Sequence, residues 1–159
     1  NNFIERTTNR KYSMKTYSQI CGELYLGGIN DAFSPHFMNQ ASMAVLNVAK
    51  EIQRSPFCQV YMKIALEDMP EQSITQCLDE TYDFIDIHLS KNYRVLVHCA
   101  AGKSRSASIV IAYLMRKKQW SFDQSLEYVK SKRPIVEPNA GFIKQLQEYQ
   151  TRIIHKNLC

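Results

Sequence analysis

Cys99 stands where the apolar run Val95-Leu96-Val97-His98 gives way to Ala100-Ala101-Gly102-Lys103-Ser104-Arg105-Ser106 and then to a new apolar segment. This pattern predicts strand, loop and helix in that order. Valine and leucine suit a buried strand, and small residues let backbone amides turn inward with no side chain in the way. Successive inward N–H groups make an anion cradle, the positive end of the next helix deepens it, and the Arg105 guanidinium can grip two phosphate oxygens at once. A free thiol titrates near pH ~8.5, and a helix N-terminus with nearby cations brings it to roughly 3.5–7.5, where thiolate dominates at neutral pH. Cys99 therefore reads as a nucleophile inside a phosphate site walled by Ala100, Ala101, Gly102, Lys103, Ser104 and Arg105.

Other readings of the same residues fare worse. Gly102-Lys103-Ser104 imitates the end of a nucleotide-binding P-loop, but that motif needs glycine five positions before Gly102, and Val97 is there. His98-Cys99 is half of a metal site at most. Cys21, Cys58, Cys77 and Cys159 are scattered singly with no second ligand at zinc spacing, so no metal and no cofactor is expected. A cysteine that ends an apolar strand is more often an inert packed side chain, and the spacing to glycine and arginine reverses that preference here.

With 159 residues, 45% of them hydrophobic and 22% charged, the chain fits one domain with a sizeable core. Its net charge of +5 favours anionic partners but lacks the clustered basic stripe of a nucleic-acid binder, so nucleic acid is not expected. Five cysteines, odd in number and unpatterned, argue against a disulfide framework and for a reducing compartment, cytoplasm or nucleus. Apolar runs such as Ile109 to Met115 are too short to cross a bilayer, and the N-terminus has no signal-peptide pattern.

The elements that must position the cysteine can be followed along the chain. Residues 1–18 carry Arg6, Arg10, Lys11 and Lys15 against Glu5 and predict a basic tail or short helix ahead of one catalytic domain over 19–156. Ile20 to Leu26 reads as a first strand, with its turn at Gly27-Gly28. Pro35 to Met43 reads as a short helix, and Val45 to Val48 and Val60 to Ile64 as strands. Glu67-Asp68-Met69-Pro70-Glu71 then places three carboxylates ahead of a helix opened by a Ser73/Gln76 capping box, with Ile74, Leu78, Ile85 and Leu89 on one face. Beyond the cysteine loop, Ile109 to Met115 suits a helix buried under others. Ser121 and Gln124 repeat the cap for a helix that ends at Arg133-Pro134. A last helix opens after Pro138-Asn139 and buries Phe142, Leu146, Tyr149 and Ile153. Strands separated by helices, with helices collected at the end, predict an α/β fold: a mixed, mainly parallel central sheet of about five strands flanked by helices.

His98-Cys99-x-x-Gly102-x-x-Arg105-Ser106 resembles the signature of the cysteine-dependent protein tyrosine phosphatase superfamily, in its small dual-specificity branch. Leu24 to Gly28, Val45 to Ala49 and Arg133-Pro134-x-x-x-Pro138-Asn139-x-Gly141-Phe142 resemble further parts of that domain in the expected order, so the likeness runs from about Tyr17 to Tyr149. It implies hydrolysis of phosphotyrosine and phosphoserine or phosphothreonine in proteins, kinases among them, through a cysteinyl phosphate and without a metal. Cys99 would attack, Arg105 and the loop amides would hold the phosphate, and Ser106 would hydrogen-bond the sulfur as it leaves. Asp68, 31 residues before Cys99, matches the general acid, whereas Glu67 and Glu71 read as a solvated acidic turn. By the same resemblance His98 holds the loop and supports the thiolate. Asn139 lies beside the loop, though its position fits equally a helix N-cap. Lys103 replaces an aliphatic residue common in protein-directed members and is similar to the lysine of lipid and inositol phosphatases. That keeps phosphoinositide headgroups as an alternative substrate, against the plain reading of a solvent-facing lysine. A catalytically silent phosphate-binding module is the third reading.

Overall fold

The structure is a computed structural model that describes residues 16–40 and 42–158. The basic segment expected at the N-terminus lies almost wholly outside the described residues. The apolar runs form five strands: β1 (Ser18–Cys21), β2 (Leu24–Gly27), β3 (Met43–Ala49), β4 (Val60–Leu66) and β5 (Arg94–His98). They make one sheet in the order β1-β2-β5-β3-β4, antiparallel only between β1 and β2. The strand that ends at the cysteine is therefore central, with a parallel neighbour on each side. Its side chains alternate as a pleated strand requires. Val95 and Val97 enter the larger core, and Leu96 joins Tyr25, Val45, Phe37 and Met38 on the opposite face.

Two short helices, α1 (Ile29–Ala32) and α2 (Pro35–Met38), cover that second face. The first face packs against α3 (Leu78–Ser90) and α4 (Arg105–Lys118), with α5 (Phe122–Lys132) against β1, while α6 (Ala140–Leu158) lies over α4 and α5. Helix α4 is the hub. Every residue from Arg105 to Met115 is buried, which explains an apolar run with no polar face over its middle. Among the described residues no helix is long and apolar enough to cross a membrane.

Local signals misled in three places. Ile20 to Leu26 is a hairpin and not a single strand, because Gly22 takes a φ of +55° and turns the chain between β1 and β2. The Ser73/Gln76 capping box does not form. A single 3₁₀ turn, Thr75–Cys77, precedes α3, and the Ile74 N–H is satisfied by Gln145 Oε1 of α6 at 2.7 Å. The helix expected over Pro35 to Met43 stops at Met38, since Met43 is drawn into β3 beside Arg94. The second cap does form, with Ser121 Oγ accepting from the Gln124 N–H at 3.1 Å.

Candidate active site

Six consecutive carbonyls, from Cys99 to Ser104, each meet a donor outside the loop's concave side. His98 Nδ1 lies 3.1 Å from the Cys99 oxygen. The Ile29 N–H of α1 donates to Ala100 at 2.9 Å. Arg133 takes the next two, Nη2 to Ala101 at 3.0 Å and Nε to Gly102 at 2.8 Å. The Glu137 N–H reaches Lys103 at 2.8 Å, and the Ser108 N–H and hydroxyl reach Ser104 at 2.9 and 2.7 Å. In a trans peptide the N–H points opposite to the preceding C=O. Anchoring these carbonyls outward therefore turns the N–H groups of residues 100 to 105 toward a common centre, at the start of α4, which is an anion nest. Gly102 is required by this path: its φ is +65°, and a Cβ there would sit 2.6 Å from the Gly27 carbonyl oxygen.

At the head of the nest the buried Cys99 Sγ lies 3.0 Å from Ser106 Oγ. His98 is buried as well, and burial pushes its imidazole below the usual pKa, leaving it uncharged at neutral pH. A carbonyl only accepts, so Nδ1 carries the proton and the ring pins the loop's first peptide.

The buried Arg105 guanidinium is fixed end-on by a residue the sequence reading passed over. Glu51, in the turn after β3, takes Nη1 and Nη2 at 2.6 Å each, and Nη1 also donates to the Leu66 carbonyl at 3.1 Å. Three of its five N–H groups are thereby used, which leaves Nε–H and the second Nη2–H as a parallel pair suited to two phosphate oxygens. Hydrogen bonding to Arg105 holds the Glu51 carboxyl down to about 2, and Glu51 in turn raises the Arg105 pKa. The turn that carries Glu51 is itself clamped: Lys63 of β4 donates to the carbonyls of Ala49, Lys50 and Ile52. Burial lowers the Lys63 pKa, as expected of an ammonium folded over backbone.

The exposed Asp68 lies in the loop after β4, where its Oδ1 accepts from Asn139 Nδ2 at 3.0 Å. Asn139 fills both roles open to it. Its Oδ1 caps α6 by accepting from the Phe142 N–H at 2.9 Å, and its own N–H donates to Ser104 Oγ at 3.0 Å, so one residue ties the carboxylate to the loop. Gln145 of α6 grips the Gln72 carbonyl at 2.8 Å. A Cβ on Gly141 would lie 1.9 Å from the Pro70 oxygen, so only glycine lets the helix come this close to the acidic loop. Glu67 is spent on a surface ion pair with Lys50 at 3.0 Å, and Glu71 is exposed. Lys103 pairs with Glu137 at 3.4 Å.

The local residues Cys99 to Ser106 thus meet in one loop, and Asp68 joins them through Asn139. Sequence reasoning missed Glu51, Lys63 and the anchoring task of Arg133. The one available signal was Arg133 itself, in the Arg133-Pro134 stretch that resembles the family domain and also ends a helix; nothing in the sequence shows that its guanidinium turns back onto the loop carbonyls. Residues 24–152 match the family model described as dual specificity phosphatase, catalytic domain. The chain is similar to Dual specificity protein phosphatase 1 of Arabidopsis thaliana, 40% identical over 129 residues that cover 80% of this chain and 65% of that protein. It is also similar to Protein phosphatase Slingshot homolog of Xenopus laevis, 40% identical over 135 residues that cover 84% of this chain and 20% of that protein. The crystal structure of human DUSP28 superposes with a TM-score of 0.82 at 27% identity, covering 87% of this chain and 99% of that one. Because the family match runs from β2 into the last turns of α6, across all the helices that anchor the loop, the chain belongs to the dual specificity phosphatase catalytic-domain family.

Proposed function

We propose that the protein hydrolyses phosphomonoesters on phosphotyrosine and on phosphoserine or phosphothreonine of protein substrates, by way of a cysteinyl phosphate. The observation that carries this reading is the outward anchoring of six carbonyls around the Cys99–Ser106 pair. The inward amides and the side-on edge of Arg105 receive the three non-bridging oxygens and stabilise the charge that builds on them. Cys99 thiolate attacks phosphorus in line, and Asp68 gives its proton to the departing oxygen. Asp68, now a carboxylate, takes a proton from water as that water attacks the phosphocysteine. Phosphate departs and the thiolate is regenerated, with the Ser106 hydroxyl donating to the sulfur. A phosphoinositide substrate is not favoured: the relatives are named as protein phosphatases, and the loop lysine that raised the alternative is engaged by Glu137. A reducing compartment, cytoplasm or nucleus, suits the free thiol.

The test is turnover of phosphotyrosine and phosphothreonine peptides by Cys99→Ser, which should lose several powers of ten in kcat yet still bind the peptides. Retention of more than about a tenth of wild-type kcat would overturn the assignment. Asp68→Asn should lose the descending limb of the kcat/KM profile and fail on poorly leaving alcohols while sparing esters of acidic phenols. Survival of that limb would move the acid role elsewhere.

A further inference from the structure

At the far end of α4 from the cysteine loop lies a cleft of about 290 Å³ between three helices. Asp79 and Tyr82 of α3, Arg116 of α4, and Tyr149, Arg152 and Lys156 of α6 line it. Arg116 is eleven residues along α4 from Arg105, so the cleft lies about 16 Å down the helix axis from the phosphate clamp. It is a separate place.

Three cations face one carboxylate here. Asp79 Oδ2 takes Arg152 Nη2 at 2.7 Å, whereas Arg116 Nη1 stands 3.6 Å from Oδ1, beyond hydrogen-bond length. Asp79 is the one carboxylate in this lining; Glu80 and Asp83 of α3 are exposed outside it, and Asp86 is engaged elsewhere by Lys117 at 3.0 Å and by the Tyr113 hydroxyl at 3.0 Å. Basic residues in the last turns of α4 and α6 are expected from the helix dipole. The dipole does not account for their converging on one concave cleft, nor for the way they are held. Arg116 lies flat on Tyr82, its Cζ 3.8 Å from the ring centroid, and Arg152 stands 5.6 Å over Tyr149. Stacking fixes the plane of a guanidinium and leaves its N–H edge to a ligand, which is how arginine presents paired donors to phosphate oxygens. One carboxylate, with the Tyr149 hydroxyl beside Arg116, does not use two such edges and an ammonium.

We propose that this cleft is a second, non-catalytic site for a phosphomonoester dianion borne on a peptide side chain, held by Arg116, Arg152 and Lys156. The same chemistry is offered by free phosphate, and the cleft is larger than that ion needs. The inference stands apart from the catalytic reading, since none of these residues touches the cysteine loop.

The experiment is a titration of Cys99→Ser with inorganic phosphate and, separately, with a phosphotyrosine hexapeptide, followed by amide and arginine Nε–H resonances. Two sets of signals should move and saturate independently, one at the loop and one at Arg116 and Arg152. The double variant Arg152→Gln, Lys156→Gln should lose the distal set alone, and in the Cys99 enzyme should leave kcat/KM for a small aryl phosphate unchanged. Asp79→Asn is the decisive arm, because it removes the one competing anion. The distal site should then bind the peptide roughly threefold to tenfold more tightly, the effect of one charge a few ångströms away in a solvated cleft. A structural ion-pair network predicts no such gain. No distal shift, no tightening in Asp79→Asn, or equal affinity for free phosphate and peptide, meaning an adventitious ion only, would each overturn the proposal.

Discussion

Replacing Arg133 by lysine keeps the charge and removes the planar fork, and so tests whether anchored carbonyls orient the loop amides. Arg133 is buried and donates to four oxygens: Ala101 O at 3.0 Å, Gly102 O at 2.8 Å, Ser18 Oγ at 3.2 Å and the Thr16 carbonyl. A lysine ammonium has its three donors on one atom and cannot span both loop carbonyls while also holding the β1 end. At least one buried carbonyl is then orphaned at a cost of about 1–3 kcal/mol, and one charge-assisted bond worth about 1.5–3 kcal/mol is lost. The sum, about 2.5–6 kcal/mol, corresponds to a fall in Tm of roughly 5–24 °C for a domain of this size. The freed peptide can rotate, taking one inward N–H out of the nest, and loss of one such donor typically costs about 10²–10³ in kcat. The assay is kcat/KM for an aryl phosphate, well below the lowered Tm so that unfolding does not contribute. A variant that melts as expected but keeps kcat/KM within about threefold would refute the orienting role and leave Arg133 as a stabilising residue alone.

Glu51→Gln should loosen the end-on anchor of Arg105 and lower kcat/KM about tenfold to a hundredfold, the penalty of a misplaced catalytic group. It should also change the acid limb of stability. The folded carboxyl sits at about 2 against a reference of 4.5, so the pair stabilises fully above 4.5 and its contribution fades as pH falls toward 2. Denaturant midpoints across that window should vary less in Glu51→Gln than in wild type, and equal slopes would contradict the pairing. Asn139→Asp keeps an oxygen to cap α6 and replaces the donor facing Asp68 with a like charge. Tm should stay within a few degrees while turnover of alkyl phosphates drops, and an unchanged rate would show that the Asn139–Asp68 contact has no catalytic weight.

The loop from His98 to Ser106 was legible because all its chemistry is local: strand, thiol, small residues, glycine and arginine follow one another within nine positions. Central placement of β5 followed from its apolar run. What escaped the reading is non-local. Glu51 meets Arg105 across 54 residues, and Gln145 replaces the expected Ser73/Gln76 cap across 71. No spacing rule connects such pairs, because the sheet order β1-β2-β5-β3-β4 decides which turns lie over the end of the central strand. Asn139 could be placed on two grounds and fills both roles. The split of Ile20 to Leu26 into a hairpin turned on one glycine inside an alternating run, where the hydrophobic pattern stays compatible with one strand or two.

The anchors of the six loop carbonyls come from β5 itself, from α1, from α4, and from the segment joining α5 to α6. The nest is therefore a property of the tertiary structure, and its motif transplanted onto another strand–helix junction would carry the residues without the curvature. Sub-global opening has the same consequence. Detachment of α6 removes the Glu137 and Asn139 contacts, and displacement of α1 frees the Ala100 peptide, so each local opening of the fold also dismantles the anion site. The thiol should then gain access to alkylating reagents only as its anion field collapses. Protection of Cys99 from such reagents measures how cooperatively the whole domain is closed.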